Sequence, residues 1–279
     1  MAIVGVGLIG GSFARALRSR AGFRGTILGV SRAEYASEAV AAGVIDEAVS
    51  LEEAAGRADF VYLSSSISKI IAALGQLDPY LRPGALVSDA GSTKSKIMEA
   101  GSRLKRGVFV GGHPMAGKET RGSSAADADL FSGKTYFLTF SKEADKSLEA
   151  VTELCDWLTA FGARIVPIRP DEHDRLVALT SHLAQVASTA LALTLDRRLG
   201  AETARIGAGS GIVDMTRLAM SGYDGLWSDI LATNRDSIAP ALDFYISELQ
   251  KIRRSLGEDL GDSFGTAGAF ARTLRNPTE

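Results

Sequence analysis

The residues best suited to chemistry cluster in one short run, "GGHPMAGKETRG", residues 111 to 122. The chain has three histidines, and His113 stands here between a Gly-Gly pair and a proline. Glycine and proline together indicate a backbone held in a tight turn. A neutral imidazole fixed on such a turn can accept a proton from a substrate hydroxyl. Upstream, "VSDAGSTKSK" puts Ser92 just past a strand-like run, where its hydroxyl could join the imidazole. Two plainer readings stay open. His113 could be a structural residue bonded to backbone, and Ser92 could be the N-cap of a helix over "TKSKIMEA".

Proton removal from a hydroxyl gains a purpose if hydride leaves the same carbon, and that requires an acceptor. "VGVGLIGGS" places Gly5, Gly7 and Gly10 in a G-x-G-x-x-G pattern between a strand and a helix. The first glycine makes the turn, the second lets a pyrophosphate approach, and the third lets helix pack on strand. Leu8 and Ile9 lie within this loop, where a helix N-terminus presents N–H groups to phosphate. Ser64, just past the strand "DFVYL", is assigned to the same dinucleotide site. About twenty positions past the glycines an acid would bind the ribose 2′-hydroxyl and repel a 2′-phosphate. This chain has Ser31 and Arg32 there, a hydroxyl beside a guanidinium, which suits NADP, with NAD as the other possibility. The alternative is that Arg32 is a solvated loop charge and Glu34 takes the ribose.

These groups need elements to hold them. Strands are expected at 2–4, 26–30, 59–63, 85–89, 107–111, 135–140 and 164–168. Amphipathic segments such as "GSFARALRSR" and "EYASEAVAAG" alternate with the early strands. That order specifies an α/β domain over 1–168, its mostly parallel sheet covered on both faces. The loop after "GVFVG" should then lie at the carboxyl edge of the sheet, where ligands bind in such folds. Residues 169–279 read as all-helical. Asp171 would cap a helix running through "HDRLVALTSHLAQVASTALALTLDRR", a second helix covers 225–257 with Pro240 inside it, and "FGTAGAFARTLR" forms a third. Several of these helices are apolar on more than one side, which points to burial against a second subunit.

The 279 residues carry 31 basic and 33 acidic side chains, a net charge of −2. That balance gives no electrostatic reason to expect nucleic acid or an anionic membrane as partner. The lone cysteine, Cys155, fits a reducing, cytoplasmic setting and a small buried hydrophobe. The apolar start lacks the basic region of a signal peptide, and runs such as "ASTALALTL" look too short to cross a bilayer. No metal-ligand cluster is expected.

The motifs "VGVGLIGGS", "DAGSTK", "GGHPMAGKETRG", "TSHLAQ" and "DMTRLAMSGYDGLWSDI" follow one another in the order and spacing of the prephenate and arogenate dehydrogenases of tyrosine biosynthesis. The chain resembles that family over nearly its whole length. The resemblance implies a Rossmann-type domain followed by a helical substrate-binding and dimerisation domain, joined with its twin as a homodimer. It implies that His113 polarises the ring hydroxyl at C4 with help from Ser92. Hydride then passes to NAD(P) and the ring carboxylate leaves as CO2. Arg217 matches the arginine that binds the substrate's carboxylate, and Glu119 an acid near the site mouth. His182 matches a helix position facing the site, a buried structural histidine being the other reading, and Trp227 matches a family tryptophan or a core aromatic. His173 reads as structural. Where the family often has Ser-His-Leu-Pro-His, this chain has "SHLAQ", so Ala184 and Gln185 replace a proline and a histidine. That bears on whether prephenate, with a keto acid, or arogenate, with an amino acid, is the substrate. The first strand starts almost at Met1, so a few native residues are expected before it. With no regulatory domain expected after residue 279, feedback would act at the active site.

Two rivals are a β-hydroxyacid-type dehydrogenase and a non-catalytic NADP-sensing protein. The first would place a proton-transferring lysine in the helical half, where only Lys251 follows residue 168. The second would need the glycine loop without His113, Ser92 and Arg217.

Overall fold

The computed structural model describes residues 1–118, 120 and 122–275. Eight strands form one sheet: β1 (Ala2–Val4), β2 (Leu28–Val30), β3 (Glu47–Ala48), β4 (Phe60–Leu63), β5 (Leu86–Asp89), β6 (Val108–Pro114), β7 (Thr135–Phe140) and β8 (Arg164–Pro167). Their order is β3-β2-β1-β4-β5-β6-β7-β8, and every neighbouring pair is parallel except β6 with β7. The sheet is α/β and mostly parallel, as expected. The short edge strand β3 was not.

Successive side chains of a strand point to opposite faces. Along β4, Val61 and Leu63 enter one buried cluster and Phe60 and Tyr62 the other. Both faces are therefore covered there, which is why β4 is buried along its whole length rather than alternating. One face packs against α3 (Leu51–Arg57), α4 (Ile67–Leu77) and α5 (Ser95–Gly101). The other packs against α1 (Leu8–Ser19), α2 (Ala33–Ala41) and α6 (Glu149–Ala160), around a ring group in which Phe13 stacks on Tyr62 at 4.1 Å.

Past β8 the chain is helical: α7 (Pro170–Val177), α8 (Leu183–Gly207), α9 (Ser210–Thr216), α10 (Ser228–Thr233), α11 (Arg235–Arg254) and α12 (Gly261–Arg275). Ala178, Ile230, Ile238 and Ala241 carry this half onto the α4–α5 face of the sheet. Three expectations change. Asp171 does not cap α7: Arg169 is the N-cap, Pro170 takes the first helical position with its φ preset, and Asp171 sits in the first turn. The long helix is not uniform, because Ala178–His182 form a π turn between α7 and α8. The segment 225–257 divides at Asn234 into α10 and α11, and Pro240 lies inside α11.

The expectation about bilayer-spanning length also fails. The helical stretch Pro170–Gly207 has 38 residues and a window of mean hydropathy 1.5, enough by length and composition to cross a membrane. Gly200 interrupts its backbone with a φ of 71° and ψ of 164°.

Candidate active site

The glycine loop leads from β1 into α1. Gly5 has a φ of 98°, and a Cβ there would lie 2.8 Å from the Ser65 nitrogen. A Cβ on Gly10 would lie 2.4 Å from both the Gly5 carbonyl and the Ser64 hydroxyl, so both positions demand glycine. Ser64 donates to the Gly5 carbonyl at 2.9 Å and braces the turn. Gly7 is the N-cap of α1, and a Cβ there would meet no protein atom within 4 Å. Leu8 and Ile9 begin that helix. The loop opens into a cavity of about 740 Å³, lined also by Ser31, Arg32, Tyr35 and Ser64. Arg32 stacks over the Tyr35 ring at 4.4 Å and lies 3.6 Å from the Glu34 carboxylate. A glycine cradle at a helix N-terminus, with a cation and an aromatic ring beyond it, fits a dinucleotide.

His113 is not on a turn. It is a residue of β6, paired with Phe137 of β7, and is buried. The Gly-Gly pair before it serves close approach instead. A Cβ on Gly111 would lie 2.2 Å from the Thr139 hydroxyl, and one on Gly112 would lie 2.4 Å from the Asp89 carbonyl. Both peptide groups of Gly112 are clamped. Its N–H donates to Asp89 at 3.0 Å, and its carbonyl accepts from the Lys94 ammonium at 2.7 Å. Lys94 and Asp89 are fully buried and bonded to each other. Burial pushes the Asp89 carboxyl up and the Lys94 ammonium down, and their attraction opposes both shifts.

Ser92 is half-buried between β5 and α5. It does not cap α5. That N-terminus is held by Asp174 of α7, whose carboxylate accepts from the Lys94 and Ser95 N–H groups at 2.7 and 2.8 Å. His173, read from sequence as structural, is in the site: its Nε2 lies 2.8 Å from His113 Nδ1, and its Nδ1 lies 2.9 Å from Asp174. His182, on the π turn, lies 3.2 Å through Nδ1 from the Asn234 amide, and its ring meets Trp227 edge-on at 5.9 Å. Burial holds His113 and His173 below the ordinary imidazole range and pushes His182 down to about 4. At neutral pH all three rings are uncharged.

Gln185, nearly buried on α8, donates to the Leu218 carbonyl at 2.8 Å. Ser188, one turn on, accepts from the Ala219 N–H at 3.1 Å. These two bonds hold the short turn Arg217–Met220, on which Arg217 is exposed. The single chain brings His113 onto His173 and seats His182 against Asn234, while Arg217 is exposed. Glu119 lies outside the described residues. Lys94, Asp174 and Asn234 went unnoticed in the sequence. The acids flanking His173 and the asparagine before "RDSIAP" were signals that could have found two of them.

Comparisons with known proteins match both halves of the chain. Residues 13–167 match the family model of the prephenate dehydrogenase nucleotide-binding domain, and residues 169–269 that of the prephenate dehydrogenase dimerization domain. Prephenate dehydrogenase of Bacillus subtilis is 34% identical over 259 residues, covering 90% of this chain and 68% of that one. The crystal structure of the Aquifex aeolicus prephenate dehydrogenase in complex with hydroxyphenyl propionate and NAD+ superposes with a TM-score of 0.87 at 31% identity, covering 99% of this chain and 97% of that one. Arogenate dehydrogenase of Synechocystis superposes at 0.81 with 29% identity and covers 98% of each chain. With a nucleotide-binding sheet domain, a buried histidine at its carboxyl edge and matches across both halves, this chain belongs to the prephenate dehydrogenase family of oxidoreductases.

Proposed function

We propose that the chain catalyses the oxidative decarboxylation of prephenate to 4-hydroxyphenylpyruvate, with NADP preferred over NAD. A nicotinamide bound in the glycine-loop cavity would take hydride from ring C4. His113 draws off the C4 hydroxyl proton and Ser92 assists it, while CO2 leaves and the ring becomes aromatic. Aromatisation supplies the driving force, so the residues chiefly orient the ring and remove one proton. Arg217 holds a substrate carboxylate through a planar pair of N–H bonds, with His182 and Gln185 flanking the ring and Glu119 at the mouth. The observation that carries the reading is His113, buried at the end of β6 with its Nδ1 2.8 Å from His173 Nε2, which leaves its Nε2 as the nitrogen to take a proton.

Arogenate, giving tyrosine, is the second substrate to test, favoured by the likeness to the Synechocystis enzyme and by Gln185 in place of a histidine. For the cofactor, Arg32 supports NADP: it lines the cavity over Tyr35 and engages Glu34, the acid that would otherwise hold a ribose. The β-hydroxyacid alternative is weakened because Lys251 is exposed and bonded to Glu248 at 2.6 Å. We divide the chain at 168/169 and read it as a cytoplasmic homodimer that binds no nucleic acid. Its apolar α8 meets the partner subunit rather than lipid, since Gln185 and Ser188 tie that helix to the Arg217 turn. Steady-state assays with both substrates and both cofactors test the whole reading: NADP-dependent turnover of prephenate is expected, and failure with all four combinations would overturn it.

A further inference from the structure

Behind His113 lies a chain of buried polar groups whose donors and acceptors can be followed atom by atom. It ends at Asp174, which spends both carboxylate oxygens on the Lys94 and Ser95 N–H groups as well as facing His173. Those hydrogen bonds outweigh burial and hold its carboxyl below the usual range, so it is ionised and can only accept. His173 Nδ1 must therefore carry a proton, and a neutral ring then leaves its Nε2 bare. The partner of that bare nitrogen, His113 Nδ1 at 2.8 Å, must donate. The second proton of the His113 ring is absent, and its Nε2 keeps a lone pair.

The same residue sets the other histidine through its main chain. The Asn234 amide donates to the Asp174 carbonyl at 2.8 Å, which fixes which end of the amide carries nitrogen. That same Nδ2 faces His182 Nδ1 at 3.2 Å, so Nδ1 accepts and Nε2 holds the proton.

We infer that Asp174, with His173 and Asn234, is a positioning residue that holds His113 and His182 in opposite tautomers: His113 Nε2 as the proton acceptor of the reaction, His182 Nε2 as a hydrogen-bond donor. The base and the donor then differ at neutral pH without a charge in either ring. Lys94, whose charge also acts on His113, does not compete for it, because its ammonium is committed to Asp89 and the Gly112 carbonyl. The inference rests on His113 being the base of the proposed reaction.

With only three histidines in the chain, ¹⁵N-histidine labelling of the full protein and a long-range ¹H–¹⁵N correlation at about pH 7.5 reads the tautomers directly. The rings are assigned by losing one signal set at a time in His113→Asn, His173→Gln and His182→Asn. Expected are Nδ1–H for His113 and His173 and Nε2–H for His182. An Nε2–H tautomer at His113, or a ring averaging between the two as in solvent, overturns the inference. In kinetics, His173→Phe should lower kcat by about 10–100-fold with KM little changed, by analogy with the loss of a partner that orients a metal-bound imidazole. His173→Gln, whose oxygen can accept the same proton, should recover part of that loss. If His173→Phe does not fold, the wild-type spectrum still decides. Active wild-type enzyme with the wrong tautomer defeats the inference alone; the expected tautomers without turnover of either substrate defeat the functional reading alone.

Discussion

Up to residue 168 the described large hydrophobic side chains are nearly all inside, with only Val40, Tyr80 and Leu148 exposed. Beyond it eighteen are exposed, among them Ile206, Met220, Phe244, Phe264 and Phe270. The buried polar groups do not divide this way. Asp89, Lys94 and His113 of the sheet half are buried, and so are His173, Asp174, His182 and Asn234 of the helical half. An apolar surface of that extent marks an interface. The contrast teaches that both halves close around the buried histidines, while the helical half alone presents a broad apolar surface.

If the chemistry resides at this shared polar centre, the largest effect should come from His113. His113→Asn should leave cofactor binding nearly intact and lower kcat by roughly 10²–10⁴. Because burial depresses this imidazole, the wild-type rate should persist below the ordinary histidine range before protonation removes it. Near wild-type kcat in the variant would break the contrast at its root.

Next is the buried pair that clamps Gly112. Lys94→Met leaves Asp89 buried without its partner, which should cost about 3–5 kcal/mol in urea unfolding. A loss within 1 kcal/mol, roughly that of an exposed pair, would mean the clamp is not structural.

Arg217 tests the helical half. Arg217→Ala should weaken kcat/KM by well over tenfold, on the scale of about 2–5 kcal/mol for an interfacial charge pair, and mostly through KM. Arg217→Lys should recover only part, because the planar fork is lost. An unchanged KM for both substrates would put the carboxylate elsewhere.

A smaller shift is expected at the cofactor. Ser31→Asp should move the kcat/KM ratio toward NAD by repelling a 2′-phosphate from Arg32's side of the cavity. No change in the ratio would remove Ser31 from the cofactor site.

The mildest is the pH dependence of stability. All three histidines titrate lower folded than unfolded, His182 at about 4 against the usual 6.5. Between those values the unfolded chain binds protons that the folded chain refuses. Stability should be full above about pH 6.5 and fall as pH drops toward 4. Urea midpoints that rise on acidification would contradict the burial of these rings.

Much of this was legible from sequence because it rests on local signals. Strand alternation, the glycine loop and "GGHPMAG" each act over fewer than about ten residues. What escaped notice depends on contacts between distant segments. The Gly-Gly pair looked like a turn, but its crowding comes from Asp89 and Thr139 on neighbouring strands. Asp174 was invisible as a cap because the helix it caps, α5, lies eighty positions earlier. His173 looked structural because a histidine among acids has that meaning by default, and its partner is sixty residues away.

The π turn at Ala178–His182 makes the site depend on chain length as well as on residue identity. A π turn holds one residue more than the α-helix around it, and a chain short by one there would run straight from α7 into α8. Each residue of a helix advances about 100°, so every side chain from Leu183 onward would rotate by that angle relative to α7. Gln185 and Ser188 would swing off the Arg217 turn while His173 and Asp174 stayed in place. A single-codon deletion here would therefore be far more damaging than most substitutions at residues 178–181.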